Sequence, residues 1–440
     1  MPLSYWHDSL EPGDTLTPRA PLPGDRDADV AIVGAGFTGL WTAYYLLRAD
    51  PTLRVIVLEA ETAGFGASGR NGGWCVGDQV GPLPAIEKSH GYDAAVAMTT
   101  AMHNAVDEVG AVVAREAIDC GFAKGGALYL ASNAAQVKAL HSRAKLYTRY
   151  GHPEAYRILE ADELRARVRG EGWTHGQFTP HAAAVHPARL TRGLARAVER
   201  LGGVVHEQTP VRSIEPGRAE TASGVVRAEI VVRATEAYTA SIKGESRALL
   251  PVGNYMIATE PIPAATWDEI GIAHREVFED TTTLLGYAQR TADDRIAIGG
   301  LSASSWFGSR VPPSPMTNPR VAARLRTLLV RRFPQLRDIN VTHHWGGVLA
   351  IARDFRPTVS LDRATGLAVA GGYMGSGVAP SNAAGRTMAD LITKTDSDLV
   401  RLPWVNHRQR RWEPEPLRFL GVHAVTTMAK LADLRSTRHG

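Results

Sequence analysis

Cysteine and lysine are both scarce in this chain. Its two cysteines, Cys75 and Cys120, among 440 residues could pair with each other, but usage this low excludes a disulfide framework and suits a reducing compartment. No zinc-type spacing of ligands exists, so no metal is expected. Seven lysines leave 42 of the 49 basic residues as arginine. Acidic residues are mixed among them and the net charge is only +4. Without a basic helix or an aromatic-plus-basic stripe, a nucleic-acid partner is not expected. The opening "MPLSYWHDSLEPGD" lacks a basic region followed by an apolar one, so no secretion signal is expected and the expected location is cytoplasmic. What the chain does have is apolar content, 44%, enough for large cores in two or three domains or in one elaborate two-domain enzyme.

One apolar run, from Val30 to Leu47, approaches the length a bilayer needs. Gly34, Gly36 and Gly39 divide it as G-x-G-x-x-G, directly after the strand-like "DVAIV" and directly before "LWTAYYLLRA", whose Leu40, Ala43, Tyr44 and Leu47 recur at helical spacing. The segment reads as strand, tight turn and helix, and no other segment can span a membrane. Such a turn lets backbone approach a pyrophosphate, whose charge suits the N–H groups at a helix start. A second strand pattern, "LRVIVLEA", ends at Glu59, 20 residues after Gly39, where an acid can accept hydrogen bonds from a ribose. A bound dinucleotide is the expectation; a merely structural βαβ unit is the alternative.

Residues 1–26, rich in Pro, Asp and Gly, read as an irregular arm anchored by Tyr5 and Trp6. The expected fold is α/β: a Rossmann-like, glutathione-reductase-type nucleotide domain with a second, mainly β-sheet substrate domain. The first is assigned residues 27–80, 150–240 and 346–400, and the second residues 81–149 and 241–345 as a roof over the cofactor. Residues 401–440 read as a helical tail, amphipathic through Phe419, Val422, Val425 and Leu434, that docks onto the body. No tandem repeat is present. Near the C-terminus "LAVAGGYMGSGVAPSNAAGRTMADLIT" repeats the order strand, glycine turn, helix, suited to a flat ligand lying against backbone.

In this order the motifs resemble the D-amino-acid oxidase-like FAD-dependent oxidoreductases, the group that includes glycine oxidase, sarcosine oxidase and gamma-glutamylputrescine oxidase. "DVAIVGAGFTGLWTAYYL" with "VIVLEA", "GASGRNGG", "HPARLTRGLARAVERLGG", and "GGYMGSGV" with "GRTMADLI" carry the resemblance, which spans Asp27 to Thr393. "SYWHDSL" and "GASGRNGGW" bring it nearest the gamma-glutamylputrescine oxidase-like subgroup. The resemblance implies noncovalent FAD held by Gly34, Gly36, Phe37, Thr38 and Gly39 at the pyrophosphate and by Glu59 and Ala60 at the adenosine. Ser68, Arg70, Asn71, Gly72 and Gly73 would serve as a second flavin loop, Val211 would meet the adenine, and Gly375, Ser376, Gly377 and Val378 would lie along the isoalloxazine. Each loop also admits a plain structural reading.

The implied reaction is oxidation of a C–N bond in a primary or secondary amine or amino acid. Hydride passes to flavin N5, the imine hydrolyses to a carbonyl, and O2 is reduced to H2O2. Tyr255, Tyr287, Trp345 and Tyr373 are the candidate catalytic-pocket residues, although aromatics on strands ordinarily pack in cores. His186, His343 and His344 read as structural or exposed, and Arg290 and Arg353 as surface residues before anion partners. Sarcosine oxidase-type members carry an oxygen-activating lysine where "RIAIGG" puts Ala297, and a flavin-linking cysteine that has no counterpart near "WGGVLAIARDF". A flavin dehydrogenase using a quinone or carrier protein therefore stays open, as does a catalytically silent nucleotide-binding subunit.

Overall fold

A computed structural model describes residues 3–11, 13–78, 81–281, 286–312, 316–424 and 427, with backbone alone at 301–304. Its first sheet is ordered Thr358–Asp362, Leu367–Gly371, Val225–Arg233, Arg26–Val33, Val55–Leu58, Val204–His206. These strands run parallel except for Thr358–Asp362, which is antiparallel to its neighbour. Strands covered on both faces carry continuous apolar runs, as "VAIV" and "VIVL" do. One face packs on helices Phe37–Ala49, Tyr92–Arg115, Pro187–Arg200 and Val378–Thr393, and the other holds a smaller core with Val211 and Ala219.

The second sheet is ordered Val341–Ile351, Leu250–Thr259, Ile296–Ser305, Gly286–Arg290, Val277–Asp280, Ala127–Ala131, His175–Thr179, Arg157–Leu159. Its pairs are antiparallel except Val277–Asp280 with Ala127–Ala131. Alternation divides its side chains between two faces. Leu128, Leu130, Ile257, Phe278, Ala288 and Ile298 form an outer core with helices Ala264–Ile270 and Pro319–Arg332. Tyr129, Glu279, Tyr287 and Gln289 stand on the inner face, toward the nucleotide domain.

The structure departs from the expected boundaries in three places. The strands Arg157–Leu159 and His175–Thr179, assigned to the nucleotide domain, extend the second sheet. The strand Val341–Ile351 runs past the boundary at 346 within that same sheet. Helix Tyr92–Arg115, assigned to the substrate domain, packs in the core of the first, because Ala95, Met98, Met102, Ala105, Val109 and Val112 form one apolar stripe that meets Trp41 and Leu46. The arm is also not wholly irregular. Tyr5–Asp8 forms a helical turn, with Ser4 as its cap accepting from the His7 N–H at 3.3 Å. In the tail, residues 417–424 are helical and Val425 and Leu434 lie outside the described residues. Among the described residues no helix is long and apolar enough to cross a membrane.

Candidate functional site

The turn after Arg26–Val33 is built from close approaches that only glycine permits. Gly34 has φ +105°, and a Cβ on Gly39 would lie 2.0 Å from the Gly34 carbonyl oxygen. Helix Phe37–Ala49 therefore starts tight against the strand end, where orphan N–H groups of its first turn suit an anion. Glu59 follows the next strand. Its carboxylate accepts from the Ala35 N–H at 2.7 Å and the Glu61 N–H at 3.0 Å. Burial pushes its pKa up to about 7 against those two donors. Glu59 thus shapes the glycine turn from the strand edge at which parallel sheets bind nucleotides. Ala60 beside it is exposed, and Val211 is buried on the opposite side of the sheet.

Residues 67–73 form the second loop, and its polar side chains are engaged within the protein. Ser68 Oγ accepts from the Phe37 N–H at 2.9 Å. Buried Arg70 donates to the Tyr238 hydroxyl at 2.9 Å and stands 4.7 Å from the Phe65 ring centroid. Asn71 Nδ2 donates to the carbonyls of Ala67 and Ser68, both at 3.0 Å, while its Oδ1 accepts from the Gly73 N–H at 2.7 Å. What the loop has left to offer a ligand is chiefly the backbone N–H of Gly72, since the Gly73 N–H and carbonyl are both engaged.

The third turn joins Leu367–Gly371 to Val378–Thr393. Half-buried Glu236 fixes it, accepting from the N–H groups of Gly372 at 2.8 Å and Tyr373 at 3.2 Å. Gly375 and Ser376 are exposed, Gly377 is half-buried and Val378 buried. The Thr38 hydroxyl donates to the Tyr373 hydroxyl oxygen at 3.2 Å. That contact joins motifs 335 positions apart, so the first and third turns meet at one edge of the sheet, with the second tied to the first through Ser68.

The four aromatic candidates separate. Tyr287 stands on the roof's inner face: a Cβ on Gly72 would lie 2.6 Å from its ring, and its hydroxyl accepts from Asn254 Nδ2 at 3.0 Å. Tyr255 points the other way, packing between the outer core and Met316 and Val348. Trp345 is buried, its indole N–H donating to the Arg70 carbonyl at 2.9 Å. Tyr373 belongs to the core of the nucleotide domain.

Of the histidines and arginines singled out, His186, His343, Arg290 and Arg353 have structural partners, whereas His344 Nδ1 is buried without one among the described residues. His186 Nδ1 accepts from the Arg189 N–H at 3.2 Å as a helix cap, and burial lowers its pKa to about 3. His343 pairs with Asp8 at 3.0 Å, Arg290 with Asp294 at 2.6 Å and Arg353 with Glu413 at 2.9 Å. Ala297 is buried among Tyr5, Trp6, Met256 and Trp345.

Two inner-face residues had no local signal. Asn254 is tied to Tyr287 across the sheet. Glu279 is in register with both Tyr287 and Tyr129, so all three side chains project to one side. Trp74 stands 6.2 Å from the Tyr287 ring and 6.5 Å from that of Tyr129, both edge-on. Burial pushes the Glu279 carboxyl up to about 7, opposed by the nearby Arg143 guanidinium. Alternation along "VFED" could have found its face, but not its neighbours.

FAD fits these residues: the glycine turn excludes a Cβ where a pyrophosphate would approach, an acid stands at the adjoining strand end, and an exposed glycine turn faces the roof. Comparison with known proteins agrees. The family model described as "FAD dependent oxidoreductase" (DAO) matches residues 29–391. Gamma-glutamylputrescine oxidoreductase of Escherichia coli (strain K12) is 32% identical over 370 residues, 83% of each chain. A probable oxidoreductase OrdL of Haemophilus influenzae is 29% identical over 405 residues, 90% of this chain and 89% of that protein. The structure of glycine oxidase from Geobacillus kaustophilus superposes with a TM-score of 0.72 at 20% identity, covering 87% of this chain and 100% of that one. With the three turns gathered at one edge and the match spanning both sheets, the chain belongs to the DAO family of FAD-dependent oxidoreductases.

Proposed function

We propose that this enzyme oxidises the C–N bond of a small amine or amino acid to an imine that hydrolyses to a carbonyl, with O2 as electron acceptor and H2O2 as product. The observation that carries the reading is the Asn254–Tyr287 pair, an uncharged hydrogen-bonding wall set against Gly72 of the flavin loop. The names of the E. coli relative and of the glycine oxidase neighbour support the substrate class. When bound, FAD supplies the two-electron acceptor. The chain's own residues do the rest. Asn254 and Tyr287 orient the substrate, and the roof excludes water, which favours a neutral amine over its ammonium form. Glu279, one strand beyond Tyr287, takes the ammonium proton on its carboxylate. A base poised near pH 7 suits that transfer.

FAD is held noncovalently and the enzyme acts in the cytoplasm. Both cysteines are buried, and burial raises the thiol pKa of Cys120 to about 12 and that of Cys75 further, which suppresses the thiolate a covalent link would need. The test is a panel of amines in air, with H2O2 and carbonyl product measured together. Equimolar peroxide and carbonyl support an oxidase. Carbonyl formed only with an added quinone or carrier protein would establish the dehydrogenase reading, which the alanine at 297, buried among apolar neighbours, favours.

A further inference from the structure

Three consecutive carbonyls of the second loop each accept a hydrogen bond from a buried side chain that comes from outside the nucleotide domain's sheet. Trp345 Nε1 donates to Arg70 O at 2.9 Å, Trp6 Nε1 to Asn71 O at 2.8 Å, and Gln289 Nε2 to Gly72 O at 2.7 Å. The donors are 2%, 1% and 0% exposed. Trp345 and Gln289 belong to the roof, and Trp6 to the N-terminal turn. The two indoles meet edge to face with ring centroids 6.2 Å apart, so the donors on neighbouring carbonyls also brace each other.

In a trans peptide the carbonyl and the following N–H point in opposite directions. Holding Arg70 O turns the Asn71 N–H away, and it donates to Ala67 O at 3.0 Å. Holding Gly72 O turns away the Gly73 N–H, which Asn71 Oδ1 takes. Holding Asn71 O turns away the N–H of Gly72, which has no protein acceptor among the described residues. Buried donors are paired as a rule, and Gly72 itself lies against the Tyr287 ring, 2.6 Å from where its Cβ would stand.

We infer that Trp6, with Trp345 and Gln289, positions the Gly72 N–H toward the flavin, so that the N-terminal turn is a working part of the FAD site. This rests on the reading of residues 68–73 as a flavin loop. The turn is anchored on both sides of the loop: the Tyr5 hydroxyl donates to Asp293 and Asp8 pairs with His343 in the roof, while Ser9 Oγ meets His186 Nε2 at 3.1 Å in the nucleotide domain. Trp6 is therefore a positioning residue, fixed by contacts independent of the cofactor.

The test is FAD titration of the flavin-stripped protein, followed by flavin fluorescence, for the wild type, Trp6→Phe and Trp345→Phe. Each substitution keeps an aromatic ring and removes one N–H. Melting of the stripped proteins is measured alongside. The expected result is a dissociation constant raised about tenfold by Trp6→Phe, as an unpaired buried carbonyl frees the peptide to rotate. Trp345→Phe should raise it less, because the Asn71 N–H is already fixed by Ala67. If Trp6→Phe binds FAD as tightly as the wild type, the inference falls while the flavin-site reading stands. If both variants weaken binding only in proportion to a lowered melting temperature of the stripped protein, the role is merely structural and the inference falls. A wild type that takes up no FAD removes the reading beneath it and the inference together. Should Trp6→Phe fail to fold, Trp345→Phe at unchanged affinity still overturns the clamp.

Discussion

The two sheets build their parts of the site by different means. In the nucleotide domain the parts are backbone: a turn closed by Gly34 and Gly39, a helix start, and peptide N–H groups steered by Glu59 and Glu236. In the roof they are side chains on separate strands, such as Asn254 with Tyr287 and Glu279 between Tyr287 and Tyr129. Backbone architecture serves any substrate that shares the cofactor, whereas the roof can change its side chains without altering the sheet. Cofactor retention and turnover should therefore separate under mutation.

The largest effect should come from Gly39→Ala. Its Cβ would enter the Gly34 carbonyl at 2.0 Å, forcing the helix off the strand. FAD content of the purified protein should fall to near zero, checked by the absorbance ratio of the flavin and protein bands, and a full complement would break the comparison. Acid precipitation should release all the flavin into the supernatant; yellow colour in the pellet would mean a covalent link.

Glu279→Gln should keep FAD and lose the limb of kcat/KM that rises with pH near 7, with a rate loss of order 100-fold. The same carboxyl has a stability signature. Its pKa is about 7 in the fold against an ordinary 4.5, so its stabilising contribution is complete below pH 4.5 and is lost as pH rises through 7. Glu279→Gln should therefore match the wild type at pH 4 and exceed it by about 3 kcal/mol at pH 8 in denaturant unfolding.

Tyr287→Phe should have the smallest effect. It loses one hydrogen bond, worth about 1 kcal/mol, so KM should rise roughly fivefold while FAD affinity stays within twofold. A loss of FAD comparable to that in Gly39→Ala would show that Tyr287, too, holds the cofactor.

The same division explains what the sequence made legible. A glycine turn is local, so G-x-G-x-x-G and the acid 20 residues on located the strand, the tight turn and the neighbouring strand directly. The roles of Ser68, Arg70 and Asn71 were not legible, since their partners, Phe37, Tyr238 and the loop's own carbonyls, depend on the folded backbone. The roof's composition was harder still. Ala127–Ala131 pairs with Val277–Asp280 across some 150 residues, and nothing in "RIL" or "HGQFT" says which sheet they extend. Tyr255 and Tyr287 looked equivalent as strand aromatics, and only strand register separates an outward ring from an inward one. Trp6 could be read as an anchor from its apolar bulk, but the carbonyl it holds lies 65 positions away.

The central claim is that a C–N bond is oxidised beneath this roof. Its most direct test is an anaerobic titration of the FAD-loaded protein with amines and amino acids, following loss of the flavin band near 450 nm and counting the carbonyl formed. The account predicts that at least one compound bleaches the flavin completely, with one carbonyl released per flavin and a nitrogen lost from the substrate. Flavin that stays oxidised with every amine, or bleaches without a carbonyl product, would contradict it.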